Sequence, residues 1–307
     1  MSIASRTAPP AVATLATPLG GPPVSPAGTP GRTPRARRRL RIRPGILLAS
    51  AFLLWLAASV LVPGLLAPGD PYAVNPARSF EAPSAAAWFG TDDSGADNYT
   101  RIVHGAATSL YIGIGATAIG VLGGTAIGLL AGLNGRLVEA SVMRFLDVTL
   151  AIPEILLALV VIGIIGGGTE NAILAIGAGS IAYYARITRA QTHLVRRSGY
   201  VEAARTLGLP AWRVLLTHIV PNVIKPVLVL ATIGVGSAIG AGASLSFLGL
   251  GTPPPAPEWG AMLSAGRNFI SNAPWMITFP AAFLVATVLS ITVIGRELRR
   301  RAEGRIA

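Results

Sequence analysis

Cysteine is absent from the 307-residue sequence, and lysine occurs once, at Lys225. The first absence excludes disulfide staples and thiolate metal sites, and says little by itself about compartment. Charge of either sign is scarce, with 12% of residues charged and 13 of them acidic. A soluble domain carries about 25% charged residues, so this chain has too little polar surface to face water all round. The three histidines, at 104, 193 and 218, are scattered without HExxH spacing, and no GxSxG elbow occurs. The local motifs of zinc proteases and serine hydrolases are therefore missing, and an intramembrane hydrolase is the weaker alternative. No Walker A loop is present either, because Lys225 follows "PNVI" and precedes proline. The net charge of +12 comes almost wholly from arginine beside apolar runs. There is no basic patch interleaved with exposed aromatics, so nucleic acid is not an expected partner.

What is present is apolar sequence: 52% hydrophobic residues and 36 glycines. Long runs fall at roughly 46–66, 107–132, 142–165, 171–190, 220–248 and 275–295. About 20 residues suffice to cross a bilayer, which gives an all-α membrane protein with six transmembrane helices. Residues 1–44, rich in Pro, Ala, Gly, Ser and Thr and ending in "RTPRARRRLRIRPG", are expected to be a disordered basic cytoplasmic tail. The next segment, 45–105, holds the first span and an extracytoplasmic stretch. Its apolar run lacks a clear small-residue cleavage site and is long, which favours an anchor over a cleaved signal peptide. A core over 106–300 and a short tail over 301–307 complete the expected organisation. With the N-terminus inside, six crossings return the C-terminus to the cytoplasm. Only Arg78, Arg101 and Arg267 then fall outside, the expected positive-inside asymmetry.

Gly120, Gly124, Gly128 and Gly132 recur every four residues and share one helix face, where they would admit a neighbouring backbone. Gly236, Gly240 and Ser244 form a shorter version. Gly113, Gly115 and Ala118 fit GxGxxA, but no strand precedes them, so a dinucleotide site is rejected. Two carboxylates occupy the third run. On a straight helix rising 1.5 Å per residue, Asp147 lies about 8 Å and Glu154 about 18 Å from the cytoplasmic end. Asp147 is expected to pair with Arg144 or a neighbouring subunit. A charge at mid-membrane costs at least roughly 2.5 kcal/mol, so Glu154 must face protein or water, or be protonated. It is a candidate for lining a translocation path, beside a buried hydrogen-bonded role. Pro153 before it predicts a local break in the helix.

The longest connection carries "EAARTLGLPAWRVLLTHIVPN" at 202–222. "YVEAARTL" consists largely of good helix formers, Gly208 supplies a left-handed stop, and Pro210 suits the first turn of a second helix. Helix, sharp turn and helix follow. Ala203 and Ala204 leave a low surface for another protein, with Glu202 and Arg205 at its rim. An amphipathic hairpin lying on lipid is the competing reading. Leu207 and Trp212 supply apolar contact, either to a partner or to the chain's own span ends.

Glu202, Ala203, Ala204, Gly208 and "HIVPN" at 218–222 resemble the EAA loop of ATP-binding cassette (ABC) importer permeases, in the variant of the dipeptide, oligopeptide and nickel group. "FGTDDSGADNYTRIVHGAATSLYIG" at 89–113 and "LSFLGLGTPPPAPEWGAML" at 245–263 are similar to two further segments of that family. The resemblance covers residue 80 onward, and the preceding span is similar to the extra helix of the C-type subunit. It implies a type I ABC importer transmembrane domain of the bacterial inner membrane. Such a subunit has no ATPase site or cofactor of its own, since ATP and Mg bind partner ATPases. Implied partners are a second, B-type permease, two ABC ATPase subunits or domains, an extracytoplasmic solute-binding protein and the bilayer. The resemblance assigns the loop 199–222 to ATPase coupling, through Glu202, Ala203, Ala204, Arg205, Leu207, Gly208 and Pro221. Cargo would be di- or oligopeptides, with nickel or another small solute as the alternative.

Three departures from the family pattern stand out. Gly199 replaces a frequent Asp, and Ser198 is expected to cap the helix instead. Ala96 replaces the arginine of a G-R-D triplet, which leaves that arginine's role without a carrier. The acidic LGDxLRD ending is replaced by "IGRELRRR".

Overall fold

The computed structural model describes residues 44–304, which belong to one compact unit, Ile42–Ala307. The basic tail expected over 1–44 lies outside the described residues apart from Pro44, as do positions 305–307. The chain order is α1 (Pro44–Leu61), α2 (Pro63–Leu66), α3 (Asn98–Leu133), α4 (Arg136–Ala151), α5 (Glu154–Ile165) and α6 (Thr169–Arg196). Then follow α7 (Gly199–Thr206), α8 (Ala211–Val214), α9 (Val220–Phe247), α10 (Trp259–Gly266) and α11 (Trp275–Glu303). A five-residue π-helical stretch, Leu215–Ile219, joins α8 to α9. No strand is formed among the described residues, where only two isolated bridges occur.

Local chemistry sets the helix ends. Asp97 caps α3, its carboxylate accepting from the Thr100 amide at 2.8 Å and the Thr100 hydroxyl at 2.7 Å. Proline cannot donate a backbone hydrogen bond, and Pro153 stands at the break between α4 and α5, which meet at 92°. That bend confirms the break expected at Pro153. It also overturns the depth arithmetic for Asp147 and Glu154, which assumed one straight rod.

Four helices are each long and apolar enough to cross a membrane, and the bent pair of α4 and α5 makes a fifth if counted as one span. The expected count of six is not reached by this measure because α6 falls short. Its reason is positional. α6 packs against α3, α5 and α9, so much of its surface meets protein, and apolarity toward lipid is not demanded of it.

The glycine stripe of α3 faces α6 as expected. A Cβ on Gly124 would meet Tyr184 Cβ at 2.4 Å, and one on Gly132 would meet Thr192 Cβ at 2.8 Å. Small residues let two backbones approach, and in lipid this close packing is what holds helices together. The second stripe is only partly realised. Gly236 lies against Val288 of α11, but nothing comes within 4 Å of a Cβ on Gly240. Close approach in α9 occurs instead at Gly234, against the Tyr184 hydroxyl, and at Gly242, against Ile112. α1 packs outside this core on α11 and α3, with the Trp55 and Phe283 rings 4.9 Å apart.

Candidate functional site

The loop at 199–222 folds into the expected elbow, and Gly208 makes its corner. Gly208 has φ +77°, in the left-handed region, and its amide donates to Arg205 O at 2.9 Å. The Leu209 amide donates to Ala204 O at 3.2 Å. These two bonds are the Schellman arrangement that satisfies the last carbonyls of a helix. Pro210 is the N-cap of α8 and so stands just before the first turn in which it was expected. Ser198 precedes α7, but its hydroxyl donates to Val195 O at 2.6 Å and caps no α7 amide. The expected side-chain cap is not made, because the preceding turn of α6 offers a closer acceptor.

One side of the elbow is a core. Val195, Val201, Ala204, Val214, Ile219 and Val223 are buried together, with Leu129 and Leu133 of α3 packed on them. Arg196 ties the same region to the end of α3, its guanidinium donating to Gly132 O at 2.5 Å. The elbow is thus joined through side chains to α3, α6 and α9 at once. Ala204 turns inward, 5% exposed, and its small size serves this core. The low outward surface predicted from both alanines is therefore Ala203 alone.

The other side is bare. Glu202, Ala203, Arg205, Leu207 and Gly208 are all exposed, as are Trp212 and Pro221. Leu207 is 79% and Trp212 63% exposed, and Trp212 borders a groove shared with Leu133 at the end of α3. The Arg213 guanidinium lies 5.9 Å from the Trp212 ring centroid. The bare side thus carries two large apolar side chains open to contact.

A second feature lies in the helix bundle. A cavity of about 660 Å³ opens where α4 breaks into α5, bounded also by α6, α9 and α11. Its lining includes Glu154, Ser180, Tyr183, Tyr184, Arg296 and Arg299. Glu154 starts α5, and its Cγ lies 3.2 Å from the position of a Cβ on Gly179, so the glycine leaves room for this side chain. Asp147 is not in the lining. It pairs with Arg186 at 2.5 Å, not with Arg144, because α4 lies along α6 and brings it to that arginine. Glu139, also on α4, is bound by both Arg189 and His193 of α6.

The segments at 89–113 and 245–263 form a third cluster, read from the sequence as motif without its buried groups being assigned. Asp92 accepts from Ser94 N, Ser94 Oγ and Ala96 N and pairs with Arg101 at 2.7 Å. A Cβ on Gly95 would lie 1.8 Å from Asn75 O, which accounts for glycine there. Glu258 is 1% exposed, yet its carboxylate accepts from Gly260 N and Ala261 N at 2.8 Å each and from Ser109 Oγ at 3.2 Å. Next to it, the fully buried Trp259 donates from its indole to Ile102 O at 3.0 Å. The signal was the run "PEWG": a carboxylate two residues before a glycine amide at a helix start is a cap.

Comparisons with known proteins agree with this architecture. The family described as "Binding-protein-dependent transport system inner membrane component" matches residues 124–306. The dipeptide transport system permease protein DppC of Alkalihalophilus pseudofirmus is 39% identical over 255 residues, 83% of each chain. The glutathione transport system permease protein GsiD of Salmonella typhimurium is 38% identical over 270 residues, 88% of this chain and 89% of the other. Among solved structures, the MetNI methionine ABC transporter in an inward-facing conformation aligns at a TM-score of 0.53 and 21% identity, covering 65% of this chain and 95% of the other. That likeness establishes the fold. The protein belongs to the family of binding-protein-dependent transport system inner membrane components.

Proposed function

We propose that this chain is a transmembrane permease subunit of an ABC importer that carries di- or oligopeptides. Relatives named for dipeptide and glutathione transport support the cargo. The observation that carries the mechanism is the elbow, with a buried side joined to three long helices and a bare side bearing Glu202, Ala203, Arg205, Leu207 and Gly208. In this reading the bare side docks on a separate ATPase. Closure of two such ATPases around ATP and Mg moves α3, α6 and α9 together and turns the path between outward- and inward-facing states. Pro221, in the first turn of α9, holds the lever to that helix. A second permease subunit and an extracytoplasmic solute-binding protein complete the assembly. The chain sits in the bacterial inner membrane with both termini and the elbow in the cytoplasm, and Glu154 lines the path.

The test is uptake of labelled alanyl-alanine by the assembly reconstituted in vesicles. Accumulation should require ATP and both ATPases, and should fall when Glu202 or Gly208 is substituted. Uptake that persists without the ATPases, or is indifferent to both substitutions, contradicts the reading.

A further inference from the structure

Resting on the peptide-import reading, we infer that the cavity at the α4–α5 break holds an ammonium subsite centred on Glu154, which receives the N-terminus of a passing peptide. Three observations lead there. Glu154 begins a helix within a candidate membrane-crossing pair, and no hydrogen bond or ion pair to it is formed among the described residues. A carboxylate in that setting is costly unless water or a cation meets it. Its cavity, about 660 Å³, falls in the range of small-ligand sites, roughly 300–1,000 Å³.

The neighbouring wall fits the same ligand. Tyr183, 51% exposed, lines the cavity with Glu154 and brings an aromatic ring and a hydroxyl oxygen, both of which attract an ammonium group, while Tyr184 behind it is buried. The other charged lining residues are Arg296 and Arg299, near the C-terminal end of α11. Gly295 packs there on Thr232 and Ile233 of α9, so the two arginines stand toward the end from which α9 leaves the elbow. A cavity with a carboxylate on one wall and the Arg296 guanidinium toward the elbow end offers opposite charges to the two ends of a zwitterion, such as a peptide of two residues. In this arrangement the peptide carboxylate leads toward Arg296 and the ammonium follows at Glu154. The subsite would be weak, because a path must release what it binds.

The absence of cysteine allows a direct test. Ser237 is exposed and lines the same cavity, so Ser237→Cys places a thiol there. In the complete assembly, the rates of modification by aminoethyl and sulfonatoethyl methanethiosulfonate would be compared with Glu154 and with Glu154→Gln. The cationic-to-anionic ratio should be about tenfold higher with Glu154, as for loss of one charge-assisted contact. Alanyl-alanine should slow the cationic reagent with Glu154 and not with Glu154→Gln, while Glu154→Asp should keep both effects. An unchanged ratio, or equal protection in both backgrounds, overturns the subsite. A normal ratio in an assembly that takes up no peptide would overturn the cargo reading and leave the ammonium subsite standing.

Discussion

Replacing Gly128 by alanine should force α3 away from α6. A Cβ at this position sits 2.5 Å from Ala185 O and 2.5 Å from Thr188 Cβ, with Arg189 N at 3.0 Å. Ordinary contact starts near 3.4 Å, so the helices must part locally by the difference, about 0.9 Å. Two of the obstacles are backbone atoms, and the third is the branch point of a stiff side chain, so none swings aside. A gap of about 0.5–1 Å forfeits a quarter to a half of a van der Waals contact. In lipid those contacts matter more, because no hydrophobic force presses helices together. Overpacking of this kind costs about 1–3 kcal/mol, against a gain of up to about 1 kcal/mol for replacing a helical glycine by alanine. Gly240→Ala supplies the reference, since that helical glycine has nothing within 4 Å of its Cβ position. The gain is common to both variants, so Gly128→Ala should be the less stable by about 1–3 kcal/mol. Thermal unfolding of both in the same detergent measures this, and equal stability would refute the packing argument.

Other consequences are as specific. Glu258→Ala leaves the Gly260 and Ala261 amides and the Ser109 hydroxyl without their carboxylate partner, and should lower stability by about 1–3 kcal/mol in the same assay. Asp92→Ala leaves Arg101, whose side chain is 17% exposed, with only the Pro255 carbonyl at 3.4 Å, and should cost about 3 kcal/mol, the lower end for a buried pair that loses one member. Gly208→Ala meets no steric obstacle, only the strain of φ +77°. It should cost about 1–2 kcal/mol, seen as faster limited proteolysis at the elbow, and Gly208→Asn should cost less.

Much of this was legible because it depends on spacing along one element. Four glycines at intervals of four must share a face, and Gly208 followed by Pro210 must end one helix and start another. Pro153 announced a break, but its 92° size was not written there, since the angle depends on how α4 settles on α6 through Asp147–Arg186 and Glu139–Arg189. Those pairs join residues 39 and 50 positions apart, which no local pattern reveals. The same limit hid Gly234 and Gly242, whose neighbours Tyr184 and Ile112 come from α6 and α3. Ala204 misled for a simpler reason: an alanine pair looks equally low on both sides until the helix is turned against its core.

In the proposed mechanism, the bare side of the elbow receives force from a nucleotide-hydrolysing partner. Leu207, 79% exposed at the corner, is the place to ask. A Leu207→Cys chain, otherwise free of cysteine, assembled with its ATPases and treated with a short thiol-to-amine cross-linker, should join to an ATPase subunit, with a yield that changes on adding ATP. Labelling of that thiol by an impermeant reagent applied from the outer side, or no cross-link in an assembly that hydrolyses ATP, would contradict it.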